Sequence, residues 1–184
     1  MPIMEEEAHG AREEPRGDAV ENTRDTELVI LAGLQASGKS TYYRERFSAT
    51  HEHVSKDLFR NNKNRNRRQA QLIAAALKEG SPVVVDNTNP TLEDRRAIIE
   101  LGCAFGARIV GYYFESDVRR CIERNRLRKG AEKVPDVAIY ATASKLVPPS
   151  YSEGFDELLH VRTTDDSSFE VRAGAIGARA QLHG

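Results

Sequence analysis

The stretch GLQASGKST, residues 33–41, decides the fold. It carries the spacing Gly-x4-Gly-Lys-Ser at Gly33, Gly38, Lys39 and Ser40. Just before it runs LVILA, residues 28–32, a short, continuously apolar segment that reads as a strand buried on both faces. A strand, a glycine-rich loop and then a helix is the setting in which this spacing cradles phosphate. The glycines let successive backbone N–H groups curl around an anion, and the helix dipole favours negative charge there. Gly33, Ala36, Ser37, Gly38, Lys39, Ser40 and Thr41 are therefore the candidate nucleotide contacts. Lys39 would bridge the β- and γ-phosphates of ATP, and the Ser40 hydroxyl would ligate Mg²⁺.

Working outward, a short second strand is expected at residues 53–55. A helix is expected over residues 65–79, with Leu72, Ile73, Ala76 and Leu77 on one face and Gly80 as its stop. PVVV at 82–85 is a third strand, ending at Asp86. Thr91 and Asp94 form a capping-box pattern before a helix with Ile98, Ile99 and Cys103 inward. A fourth strand covers 107–114, and Ser116 is placed to cap a helix with Val118, Cys121, Ile122 and Asn125 inward. Pro135 suits the first turn of one more helix, to about residue 147. A last strand is expected at 157–162. The stretch 163–184 has weak periodicity and is expected to be a tail of uncertain order. Strands alternating with helices predict an α/β P-loop NTPase with a parallel sheet of about five strands, ligands gathering at the strands' carboxyl ends.

Composition bounds the rest. With 184 residues, 39% hydrophobic and 30% charged, the chain reads as one globular domain. No apolar run approaches the roughly 18 residues of a membrane span, and MPIMEEEAHG lacks the basic-then-apolar order of a signal peptide. Cys103 and Cys121 have no CxxC partner and read as buried small hydrophobes in a reducing, cytoplasmic compartment. Residues 1–26 hold eight acidic and three basic side chains, which predicts a disordered acidic tail. The remainder, residues 27–184, is mildly basic and permits a polyanionic partner. His51 and His53 (HEH) make a poor metal claim.

Three further motifs bear on the chemistry. Asp86 is followed by Asn87 and not by the glutamate with which many ATPases activate water; LSGGQ and Asn-Lys-x-Asp are also missing. Motor and switch classes lose ground to a kinase, which needs an acceptor site and exclusion of water. In VSKDLFR, Asp57 stands just beyond the second strand with Arg60 three residues on. The carboxylate can accept an attacking hydroxyl's proton, and Arg60 can hold an acceptor phosphate; the plainer alternative is that Asp57 caps a helix. RNNKNRNRR, residues 60–68, has five basic and no acidic side chains, which suits a phosphodiester backbone or, more blandly, a solvated helix start. In DNTNPT, Asp86 can hold a Mg²⁺-bound water or orient the acceptor, or simply shape a turn. Arg120, Arg124 and Arg128 recur every four residues before RKGAEKVP, the layout of a lid whose arginines neutralise a transferring phosphoryl group, or of a solvated face.

Together GLQASGKST, SKDLFR, VVVDNTNP and ERNRLRKGAEKVPDVAIY resemble the 5′-kinase domain of the polynucleotide kinase family, over about residues 27–162. The resemblance implies Lys39 and Ser40 at phosphate and metal, Asp57 as general base, Arg60 on the phosphate 3′ of the acceptor nucleotide, and Asp86 in the active site. It also implies Arg124 and Arg128 as lid arginines, ATP and Mg²⁺ as cofactors, 5′-hydroxyl ends of RNA or DNA as substrate, and a place in nucleic acid repair. Lys56-Asp57 stands where many members have Arg-Asp, a change of hydrogen-bonding fork. No DxDGT motif is present, so 3′-phosphatase activity is not expected. A small-molecule alcohol kinase, and an ATP-binding regulatory or nucleic-acid-binding protein without transfer activity, are the alternatives.

Overall fold

The computed structural model describes residues 26–174. At its centre lies β1 (Glu27–Ala32), whose Leu28, Val29, Ile30 and Leu31 have no exposed surface. It is flanked in parallel by β3 (Val83–Asp86) and β4 (Arg108–Glu115). The full order is β2-β3-β1-β4-β5-β6, with β2 (Glu52–Val54) at one edge and β5 (Glu157–Thr163) and β6 (Phe169–Ala173) at the other. The first five strands are mutually parallel; β6 runs antiparallel to β5.

Alternate strand residues face opposite sides, and each side has its own core. On one, Leu28, Ile30, Val83, Val85 and Ile109 pack against Ile73 and Leu77 of α2 (Arg65–Lys78) and Ile98 and Ile99 of α3 (Leu92–Ala104). On the other, Val29, Leu31, Val84 and Val110 pack against Tyr42 of α1 (Lys39–Arg46) and Phe47 just past it. A third cluster joins Leu34 to Cys121 and Ile122 of α4 (Val118–Leu127) and Ile139 of α5 (Asp136–Ala143).

Several expectations need correcting. The sheet has a sixth strand, β6, inside the stretch expected to be a loose tail; its residues 170–173 are exposed, so no apolar alternation announces it. In α3 the inward residues are Arg95, Ile98, Ile99 and Gly102, and Cys103 is exposed. Gly102 takes the inward place because a Cβ there would lie 2.5 Å from Ile109 Cδ1 and 2.6 Å from Leu28 Cδ2. Asp117, not Ser116, caps α4: its Oδ1 accepts from the N–H groups of Arg119 (2.7 Å) and Arg120 (3.1 Å), while Ser116 Oγ donates to Phe114 O. The last helix stops at Ala143, short of residue 147. The expected capping box of Thr91 and Asp94 is present. Apart from Thr26, the residues expected to form the acidic tail lie outside the described residues, as do residues 175–184. Among the described residues no helix is long and apolar enough to cross a membrane.

Candidate active site

The loop between β1 and α1 owes its shape to three left-handed or otherwise positive-φ residues. These are Gly33 (φ 148°), Ala36 (φ 60°) and Gly38 (φ 104°). A side chain at Gly33 would bring its Cβ within 2.9 Å of Phe114 Cβ, so only glycine lets the loop leave the sheet there. The loop is tied down from two sides: Gly33 N–H donates to Thr88 O (2.9 Å), and Thr163 Oγ1 donates to Ser37 O (3.0 Å). Inside the curl the Lys39 ammonium donates to Leu34 O (2.6 Å), Gly33 O (3.1 Å) and Ser37 Oγ (3.3 Å). Burial pulls its pKa from 10.5 down to about 8, against the raising fields of Asp86, Cys121 and Asp57 and with a lowering field from Arg128. Ser40 and Thr41 follow in the first turn of α1, where N–H groups and dipole point at the same space.

Asp86 closes β3 opposite this loop and is 5% exposed. Burial alone would raise its pKa. The hydrogen bond from His53, the charge of Lys39 and the hydrogen bond from Ser40 outweigh that and hold it below the ordinary carboxylate value. His53 Nε2 lies 3.2 Å from Asp86 Oδ2, and the His53 ring stacks on Tyr43 at 3.9 Å and 12°. The Ser40 hydroxyl and the Asp86 carboxylate are hard oxygen donors beside a phosphate cradle. That donor set fits Mg²⁺, which takes one or two protein oxygens together with nucleotide phosphates. Among the described residues no group of three or more His, Cys, Asp or Glu forms a self-sufficient metal cage.

Asp57 lies in a 3₁₀ turn, Lys56–Phe59, directly after β2. The capping alternative does not describe it. Asn64 caps α2, its Oδ1 accepting from Arg67 N–H at 2.9 Å. The Asp57 carboxylate instead lies 3.2 Å from Arg60 Nη2, with its side chain 74% exposed. The turn is anchored to the end of β3: Lys56 N–H donates to Asn87 Oδ1 (2.9 Å), and Asn87 Nδ2 donates to Gln69 Oε1 (2.7 Å) on α2. Residues 60–68 are exposed along the loop and first turn of α2.

The three regularly spaced arginines do not share one helical face. Arg120 and Arg124 belong to α4 and line a cleft of about 410 Å³ with Glu115, Asp117, Arg162 and Thr163. Arg120 also pairs with Asp165 at 3.0 Å. Arg128 is already extended (φ −72°, ψ 152°) beyond the helix end, and its Nη1 donates to Glu132 O. Its charge nevertheless reaches Lys39.

Sequence reasoning passed over three contributors, Asn89, Arg95 and Thr163, and weighed His53 only as a metal ligand. Arg95 is fully buried. Its Nε and Nη2 fork onto Glu153 Oε2 and Oε1 (2.7 and 2.9 Å), and Nη1 donates to the carbonyls of Asn89, Pro90 and Val147 (3.0, 3.3 and 3.0 Å). Asn89, at φ 41°, donates from Nδ2 to Leu31 O (2.7 Å). The DNTNP loop is thus fixed to the end of β1 and to the segment before β5. The signal for Arg95 was its spacing, since residues 95, 98, 99 and 102 trace one helical stripe.

Comparison with known proteins agrees with this fold. A curated relative is the bifunctional polynucleotide phosphatase/kinase of Schizosaccharomyces pombe, 29% identical over 142 residues, which cover 73% of this chain and 33% of that protein. The chain thus spans about a third of the length of that relative, and the resemblance to the polynucleotide kinase family is shown in sequence. A fungal RNA kinase superposes with a TM-score of 0.57 at 15% identity, over 74% of this chain and 38% of that one. A gluconokinase from Sinorhizobium meliloti 1021 superposes with a TM-score of 0.53 at 17% identity, over 74% and 82%. At such identities the two structures share the P-loop kinase fold alone. The AAA domain family model matches residues 28–149, more than half of the chain, and the chain belongs to that family.

Proposed function

We propose that this domain transfers the γ-phosphate of ATP to the 5′-hydroxyl end of RNA or DNA. The observation that carries the reading is the Asp57–Arg60 pair, 3.2 Å apart at the carboxyl edge of the sheet and followed by the exposed basic run 60–68. Asp57 is close enough for its charge to act on Lys39. A carboxylate and a fork of guanidinium donors so placed suit a hydroxyl to be deprotonated and a neighbouring phosphodiester to be held. That the curated relative is named as a polynucleotide phosphatase/kinase supports the same acceptor.

In this reading residues 33–41 wrap the ATP phosphates, with Lys39 between β and γ. Ser40 and Asp86 would hold Mg²⁺, which would supply charge neutralisation on the phosphates. The acceptor oxygen attacks the γ-phosphorus in line, its proton passes to an Asp57 oxygen, and the bond to the β,γ-bridging oxygen breaks to release ADP. Arg60 holds the phosphate 3′ of the terminal nucleotide. Arg124 and Arg128 neutralise the transferring group and help to keep water out. Asn87, standing where a water-activating glutamate would be, favours transfer over hydrolysis.

The test is transfer of labelled γ-phosphate from ATP with Mg²⁺ to RNA and DNA oligonucleotides bearing a 5′-hydroxyl, beside 5′-phosphorylated controls and the Asp57→Ala protein. Label on the 5′-hydroxyl strands alone, lost in the variant, is the expected result. ATP binding without label on either strand would overturn the reading and point to a small alcohol as acceptor.

A further inference from the structure

Between α2 and α3, on the sheet face away from α1, lies a cavity of about 240 Å³ that no step above uses. Its floor is apolar, formed by the buried Ile73 and Ile98 with Leu101, and Ala97 stands exposed at its edge. Its rim is polar and mixed, with Lys56, Asn66, Gln69, Glu93 and Asp94. Its place in the fold is the first clue. Lys56 immediately precedes Asp57, and consecutive Cα atoms lie about 3.8 Å apart, so the rim begins one residue from the proposed proton acceptor. The Lys56–Asn87–Gln69 hydrogen bonds then lock that rim to the residue directly after Asp86. A molecule whose hydroxyl meets Asp57 therefore has, on the α2–α3 side, a recess whose rim includes the adjacent residue, Lys56.

Size and lining narrow the occupant. The volume falls below the roughly 300–1,000 Å³ of pockets for drug-sized ligands, which leaves room for one flat ring system and not for a stretch of chain. Two helices present aliphatic side chains, the surface that the face of a ring covers. The rim offers donors from Lys56 and the two amides, and acceptors from the carboxylates. This is the complement of an edge that carries both kinds of group. Burial at the rim pulls the Lys56 ammonium below its ordinary pKa, with the Asp94 charge opposing and the Arg65 charge adding, so a carbonyl or ring nitrogen accepting from it would be welcome. A polyol could use the rim but would leave the apolar floor against water. Unstacked nucleobases, in contrast, are held by contact on their faces and hydrogen bonds at their edges.

We propose that the α2–α3 cavity binds the base of the acceptor's 5′-terminal nucleotide. This rests on the polynucleotide-kinase reading of the same site. It means that the protein grips an end by a base pocket as well as by the phosphate held on Arg60.

The test reads binding apart from transfer. The full chain, labelled at isoleucine δ1 methyls, is titrated with a 5′-hydroxyl dinucleotide, the same compound abasic at its 5′ position, and gluconate. The expected result is movement of the Ile73 and Ile98 methyls with the normal dinucleotide alone, while Ile139, in the separate α4–α5 cluster, stays still. Equal movement with the abasic compound, equal movement with gluconate, or no movement at acceptor saturation would each overturn the proposal. In kinetics Ala97→Leu, at an exposed helix position that lines the cavity, should raise the acceptor KM by about 10-fold or more. It should leave kcat and the ATP KM in place and erase the difference between normal and abasic ends. Transfer with no preference for a base at the end overturns the pocket and spares the kinase. Methyl shifts specific to the base, with no transfer to any strand, spare the pocket and overturn the kinase.

Discussion

His53 Nε2 stands 3.2 Å from Asp86 Oδ2 while its ring lies flat on Tyr43, so one imidazole joins the end of β3 to the helix that carries Lys39 and Ser40. The contact fixes the direction of a carboxylate proposed to hold Mg²⁺. Partners that orient a metal's ligands are worth about 10–100-fold in metal affinity. His53→Ala should therefore raise the Mg²⁺ concentration needed for tight binding of a fluorescent ATP analogue by about that factor, and His53→Gln, which keeps a donor, should recover part of it. An unchanged Mg²⁺ midpoint in His53→Ala would show that Asp86 needs no such support.

The depressed pKa of Lys39, about 8, sets two pH trends of opposite sign. Above pH 8 the folded protein sheds this proton, while the unfolded chain keeps it to about the ordinary value of 10.5. The unfolded state then binds more protons, so this group makes stability rise between those limits and its penalty is full below them. Nucleotide affinity moves the other way, falling as pH passes 8, because an uncharged amine no longer attracts phosphate. Fluorescent-nucleotide titrations, together with urea denaturation of the wild type and Lys39→Met from pH 6.5 to 10, check both trends. A pH-independent stability difference between the two proteins would contradict the assignment.

Arg95, fully buried, and Glu153, whose side chain is 7% exposed, form a largely desolvated pair, and removal of one partner from such a pair typically costs about 3–5 kcal/mol. Glu153→Gln should lose stability in that range by urea denaturation. Arg95→Lys should be nearly as damaging, because an ammonium cannot fork onto a carboxylate and reach three carbonyls at once. A loss below about 1 kcal/mol would mean that the pair behaves as a surface ion pair does.

Residues 28–41 and the apolar run before Asp86 were legible because their signals are local: a buried strand has a continuous apolar code, and the phosphate loop has a fixed glycine spacing. The same holds for the Thr91–Asp94 cap. What stayed hidden depends on partners far along the chain. His53 looks like any exposed strand residue until β2 pairs with β3 in the register that sets His53 opposite Val84, bringing it beside Asp86. Strand β6 has an exposed, charged face and is specified mainly by its antiparallel register with β5, from Leu159↔Ala173 to Thr163↔Phe169. Arg128 followed a helical period that the chain abandons one residue earlier, at Leu127.

That same β5–β6 hairpin presses on the phosphate loop, and Gly38 shows how hard. At φ 104°, a Cβ added there would sit 3.0 Å from Phe169 Cε1 and 3.0 Å from Thr163 Oγ1. Gly38→Ala therefore meets two separable penalties: a left-handed backbone, at about 1–2 kcal/mol, and a collision with the hairpin. Phe169→Leu trims the ring and relieves only part of the collision, while itself loosening the packing on Tyr42 at a centroid distance of 5.0 Å. The double variant should bind nucleotide better than Gly38→Ala but well short of wild type, with a coupling of about 0.5–1.5 kcal/mol between the sites. A double-mutant cycle on nucleotide affinity measures it. Zero coupling would mean that the hairpin does not brace the loop, and full rescue would mean that the ring, and not the backbone angle, is why glycine stands at 38.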